Sequence, residues 1–272
     1  MATSDPHPDL TTTERNRLLR TTADARRLCW ALNGPLSTSL RVMAEQFYNP
    51  DVLLEPYVRA GSQINDLYAG GFHPISQAPL TDSRIASATV SVDYLDRWED
   101  EWVEMHSECW DGPEEDGQPD PESVRYGTVP GEEPEYEGFS GREHLLMCCG
   151  TDRPLNKAAT LEVRAKGEFL TVHDFVSAVH PWLMGLREDI LAAAGVLEKK
   201  PLPADSELMV YHPGPGSLMI VVGEEEWKRS MRKHLQHDRL AAMKPYQLFM
   251  PVGEGSGNVP VWGCTAAYAD AA

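Results

Sequence analysis

Ile85-Ala86-Ser87-Ala88-Thr89-Val90-Ser91-Val92-Asp93-Tyr94-Leu95-Asp96-Arg97-Trp98-Glu99-Asp100-Glu101-Trp102-Val103-Glu104-Met105-His106-Ser107-Glu108-Cys109 changes its hydrophobic period halfway along. Ala88, Val90, Val92 and Tyr94 alternate with polar neighbours, which places them on one face of a strand. From Leu95 onward the apolar residues recur at three and four: Leu95, Trp98, Trp102, Met105 and Cys109 share one helical face. Asp96, Glu99, Asp100, Glu101, Glu104 and Glu108 crowd the other. A strand running directly into an amphipathic helix requires a fold that mixes both kinds of element.

Upstream, a loose tail is expected over 1–11 and a helix from Thr12 or Thr13 to Leu32, carrying Arg15, Arg17, Arg20, Arg26 and Arg27 outward and stopped by Asn33-Gly34-Pro35. A second helix is expected from Ser37 to Asn49, through Leu40, Met43, Ala44 and Phe47. A short third one follows over Asp51–Ala60, weakened by Pro56. Downstream, His144–Cys149 and Thr160–Arg164 read as strands. Thr171 and Asp174 form a capping box for a helix that ends at Gly195 and breaks at His180-Pro181. Glu207–Tyr211 and Ser217–Val222 read as strands joined across His212–Gly216. A helix from Glu224 to about Met243 follows, then strand-like Tyr246–Val252 and Val259–Trp262. The expected fold class is α+β: a helical N-terminal part, then a mixed or antiparallel sheet packed with helices, interrupted by an acidic disordered loop. The corresponding division is 12–110 (helical, one strand), 111–141 (acidic Pro/Gly-rich loop or linker) and 142–272 (α+β), with 12–110 and 142–272 able to form one domain.

The charge is concentrated. Asp93–Glu137 carries 17 acidic against two basic side chains, so −15 of the formal net charge of −18 lies in 45 of the 272 residues. Residues 111–137 contain five prolines, four glycines and ten acids, with little to bury against the entropy of ordering the chain. An acidic balance disfavours nucleic acid, whose binding relies on Lys and Arg, and equally an anionic membrane surface. No window has the roughly 20 apolar residues of a membrane span. The N-terminus lacks a basic start and apolar run, which leads to the expectation of a cytoplasmic or nuclear, not secreted, protein with reduced thiols.

No nucleophile-elbow, phosphate-loop, dinucleotide or EF-hand motif occurs, and no C-x-x-C. His106-x-x-Cys109 and His144-x-x-x-Cys148 have spacings that suit a structural zinc site. His106-x-Glu108 matches the H-x-E half of zinc nucleobase deaminases, but Met147-Cys148-Cys149-Gly150 lacks their P-C-x-x-C. Adjacent Cys148 and Cys149 point to opposite faces if both lie in a strand, so they are not expected to chelate together. His234 and His237, three apart on a helix, form a weaker metal pair. His173 and His180 are two turns apart, about 10 Å, which a substrate could span but a metal could not.

The leading expectation is a non-catalytic interaction protein without a cofactor. It would present Glu99, Asp100, Glu101, Glu104, Glu114, Glu115, Asp116, Glu132 and Glu133 to a basic protein partner. The alternatives are an enzyme or small-molecule binder whose pocket uses His73, His173, His180 and Trp182, and a zinc protein built on His106, Cys109, His144 and Cys148.

Overall fold

The computed structural model describes residues 19–59, 71–106, 124–129 and 144–232. They fall into two compact units, one made of residues up to Trp102 and from Pro154 onward, the other lying within Val103–Arg153.

The larger unit is organised around a run that is apolar on both faces. Strand β1 (Leu28–Ala31) is flanked by β2 (Leu40–Val42) on one side and β9 (Leu208–Val210) on the other, all antiparallel. With β3 (Glu55–Pro56) and β11 (Ile220–Val222) at the edges, the order is β11-β9-β1-β2-β3. Alternation sorts the side chains between two layers. Leu28, Trp30, Leu40, Val42, Leu208, Val210 and Ile220 join the main core, while Cys29, Met43 and Met209 pack on the other face with Trp227 and Met231. Trp227 belongs to helix α5 (Glu224–Ser230), and its indole N–H donates to the Val210 carbonyl at 3.0 Å.

Two cores explain why the described residues 19–59 do not form the expected N-terminal helices. A strand covered on both faces has no polar alternation, and Leu28 and Leu32 then match a helical period by chance. Among the described residues of 19–59, the structure has a 3-10 turn at Ala25–Arg27, β1, the single-turn helix α1 (Leu36–Ser39), β2 and β3. The Ser37–Asn49 helix gives way to α1 and β2, and the described part of Asp51–Ala60 holds β3. Pro56 is tolerated in β3 because that strand is an edge.

A second, three-stranded sheet contains β4 (Ser87–Val92), which pairs antiparallel with β8 (Leu161–Arg164) and parallel with β10 (Gly216–Leu218). The segment Gly216–Val222 thus serves both sheets, changing partner at Met219. Helix α2 (Asp93–Met105) begins directly after β4, two residues before the start expected at Leu95, so Tyr94 lies in the helix and not in the strand. Helix α3 (Val172–Gly185) starts at the capping box: the Thr171 hydroxyl accepts from the Asp174 N–H at 3.1 Å, and the Asp174 carboxylate accepts from the Thr171 N–H at 3.2 Å. Pro181 stays inside α3, and the break falls at Leu186, before α4 (Arg187–Leu197). Gly195 does not stop α4. A Cβ there would stand 3.1 Å from the Lys200 carbonyl, so glycine serves the close return of the chain.

The smaller unit holds an antiparallel sheet of β5 (Val124–Gly127), β6 (His144–Cys148) and β7 (Thr151–Asp152). Strand β5 lies within the stretch expected to be an unstructured acidic loop. Val124, Arg125 and Tyr126 are ordinary strand residues whose signal is lost when composition is averaged over 111–137. The class is α+β, with antiparallel and mixed sheets, and no helix among the described residues is long and apolar enough to cross a membrane.

Candidate functional site

Helix α2 separates apolar from acidic side chains. Leu95 and Trp102 are buried and Trp98 is half-buried, whereas Met105, expected on the same face, is 41% exposed. Asp96, Asp100 and Glu104 are exposed, and Asp93, Glu99 and Glu101 are partly so. Arg97 lies 3.6 Å from Asp93 and 3.7 Å from Glu101, loose pairs at a solvent-exposed position. Asp96 has an internal use: the hydroxyls of Ser91 and Ser217 both donate to its Oδ2 at 2.7 Å. Of the other acidic candidates, Glu114, Glu115, Asp116, Glu132 and Glu133 lie outside the described residues.

The three histidines named from sequence have distinct surroundings. His180 is buried; its Nδ1 accepts the Trp30 indole N–H at 3.0 Å and its Nε2 donates to the Gly34 carbonyl at 2.8 Å. Burial lowers its pKa, against the smaller opposing effect of the bond to Gly34. His73 caps the 3-10 turn Pro74–Gln77, its Nδ1 accepting from the Ile75 N–H at 3.3 Å while Nε2 lies 3.3 Å from Glu55. Burial again lowers its pKa, although Glu55 opposes the shift.

His173 is half-buried among Tyr57, Phe72 and Ser177. The Tyr57 hydroxyl is 3.2 Å from its Nδ1, the Ser177 hydroxyl 3.3 Å from its Nε2, and the Phe72 ring 4.2 Å from its own. Burial and then Lys166 lower the His173 pKa, and burial raises that of Tyr57. His73 and His173 thus both adjoin Tyr57, since the His73 N–H donates to the Tyr57 carbonyl at 2.7 Å. His180 is engaged by Trp30 instead, and Trp182 packs, partly buried, against the main core. Tyr57 had no signal in the sequence, because its partner is 116 residues away. A separate cleft lined by Met43, Phe47, Val52 and Leu54 encloses about 30 Å³, room for about one water.

In the smaller unit, the residues expected to bind zinc regroup. His106 follows the last turn of α2 and is 8% exposed; Cys148 ends β6 and is fully buried. Cys149 is exposed, with φ +52, and Gly150 follows at φ +76, forming a two-residue turn into β7. Two successive positive φ values are the signature of a tight hairpin turn, in which strand alternation no longer applies. Cys149 therefore turns back beside Cys148, with 3.5 Å between the sulfurs. The expectation that the two cysteines diverge is overturned. The Cys-Gly dipeptide before Thr151 was the available signal, glycine at the second turn position being the preferred choice.

One ligand atom from each of His106, Cys148 and Cys149 lies within 4.8 Å of the others. His144 is not in this group. It begins β6, four residues before Cys148, and four residues of strand span about 13 Å. Cys109, His234 and His237 lie outside the described residues. The chain matches no known protein family, no curated protein and no solved structure.

Proposed function

We propose that the chain is a non-catalytic interaction protein that offers the acidic face of α2 to a basic protein partner. The observation that carries this reading is the division of α2. Its apolar side chains are turned inward at Leu95 and Trp102, which fixes the exposed Asp96, Asp100 and Glu104 on a rigid element. Over Asp93–Met105 six carboxylates stand against the lone Arg97, and the sequence adds eleven more acids by Glu137. Such a field speeds encounter with a positively charged surface and favours it over an anionic one.

Removing 111–137 would take β5 out of its sheet, so reversing charges on α2 is the cleaner test. In affinity capture from native lysate, the intact chain is expected to retain a basic protein that is lost as salt rises, because exposed charges are screened beyond a Debye length of about 8 Å. The doubly substituted Asp100→Lys, Glu104→Lys chain should lose it at low salt as well. Capture that is indifferent to both salt and substitution would sink the reading.

A further inference from the structure

We propose that His106, Cys148 and Cys149 form a zinc site in the smaller unit. The three are brought together from separate parts of the chain: His106 beyond the last turn of α2, Cys148 at the end of β6, and Cys149 in the β6–β7 turn. Tetrahedral zinc has bonds of about 2.3 Å to sulfur and about 2.0 Å to nitrogen, so neighbouring ligand atoms stand about 3.5–3.8 Å apart. The sulfurs are already 3.5 Å apart, and the imidazole lies within 4.8 Å of both, so small side-chain rotations complete the geometry.

The donor set identifies the metal class. Two thiols and an imidazole without a carboxylate select zinc over magnesium or calcium, which take oxygen ligands. Binding replaces the two thiol protons with Zn²⁺ and uses a neutral imidazole nitrogen, with the fourth position left for water or another donor.

Two further observations fit this assignment. The first is backbone conformation. Cys149 occupies the left-handed region at φ +52, where glycine or asparagine is usual and a cysteine is held at some cost. That conformation is what carries its sulfur to the side of Cys148. The second is how few apolar side chains the described residues of the smaller unit bury. Among the described residues of the smaller unit, Val129, Leu145 and Cys148 are the buried apolar side chains. Strands as short as β5, β6 and β7 are the kind of structure that a metal stabilises. Full burial of Cys148 beside an exposed Cys149 also gives the ion a route of entry.

The test uses the full-length chain, reduced and stripped of metal, titrated with Zn²⁺ against a chromophoric chelator and separately with Co²⁺. The expected result is uptake of one Zn²⁺ per chain, a thiolate-to-cobalt charge-transfer band, and a higher melting temperature with zinc. Cys149→Gly is the decisive variant, because glycine accepts the turn conformation without strain and the chain should fold. It is expected to lose zinc affinity by about 100-fold or more, since removing even a group that merely orients a ligand costs about 10–100-fold. His106→Ala should behave likewise, and His144→Ala should bind as the unaltered chain does. The proposal is overturned by the absence of uptake in the reduced chain, by full affinity in folded Cys149→Gly, or by a cobalt spectrum lacking the thiolate band.

Discussion

His212 shows how far a single partly buried ring can tie this chain to pH. Burial, and then the positive charge of Arg26, hold its pKa down to about 4, and its Nδ1 is buried without a hydrogen-bond partner. His73, His173 and His180 are shifted the same way, each chiefly by burial. For His180 the geometry explains it: an added proton on Nδ1 would face the Trp30 N–H that this atom now accepts. The unfolded histidines titrate near pH 6.5, so below that value the unfolded chain binds more protons than the folded one. Their stabilising contribution is complete above about pH 6.5 and is lost as pH falls, for His212 down to about pH 4. Urea midpoints measured from about pH 7.5 to about pH 5 should fall with pH. In His212→Gln the fall should be shallower, by up to about 2 kcal/mol over the range. Parallel profiles for the two proteins would show that His212 does not titrate in this way.

At the scale of elements, helix ends and connections decide much of the structure. Arg187, the first residue of α4, donates to the carbonyls of Leu32 at 2.9 Å and of Ala204 and Ser206 at 2.6 Å, pinning the chain before β9 to the end of β1. Lysine keeps the charge but cannot supply that fork. Arg187→Lys is therefore expected to lose about 2 kcal/mol by urea denaturation, against about 1 kcal/mol for Thr171→Ala at the capping box. Equal stability of Arg187→Lys and the unaltered chain would refute the pinning role.

The same two places show what the sequence could and could not convey. Thr171 and Asp174 announce their helix because capping is a contact between residues three apart, and the period change at Leu95, within two residues of the true start, is equally local. Arg187 and Tyr57 give no such notice, because their partners are distant in sequence. Strand β1 matches a helical period because both its faces are covered, and β5 is hidden in acidic surroundings. The thiol–imidazole group is half legible: spacing points to His106 and Cys148, but strand alternation, extended into a turn, excludes Cys149.

For the molecule as a whole, charge and burial are unevenly shared. The larger unit contains both hydrophobic clusters, and the smaller contributes few buried side chains among its described residues. The cysteines report this difference. Cys29 is fully buried and its pKa is pushed up to about 11 by burial, which keeps it inert until the larger unit opens. Cys149 is exposed. In a Cys109→Ser, Cys264→Ser background without metal, a thiol reagent should label Cys149 first, Cys148 next and Cys29 last, as followed by peptide mass spectrometry. Labelling of Cys29 together with Cys148 would mean that the two units open as one.

The change of partner at Met219 has a consequence for how the larger unit comes apart. Hydrogen bonds on one side of that residue hold β4, and on the other side hold β9, with no loop between to absorb slack. Freeing either sheet tugs directly on the register of its neighbour. Partial opening that spares one sheet is therefore penalised, and the two sheets share a single cooperative transition. A seven-residue segment thus acts as the mechanical link through which a disturbance on one sheet reaches the other.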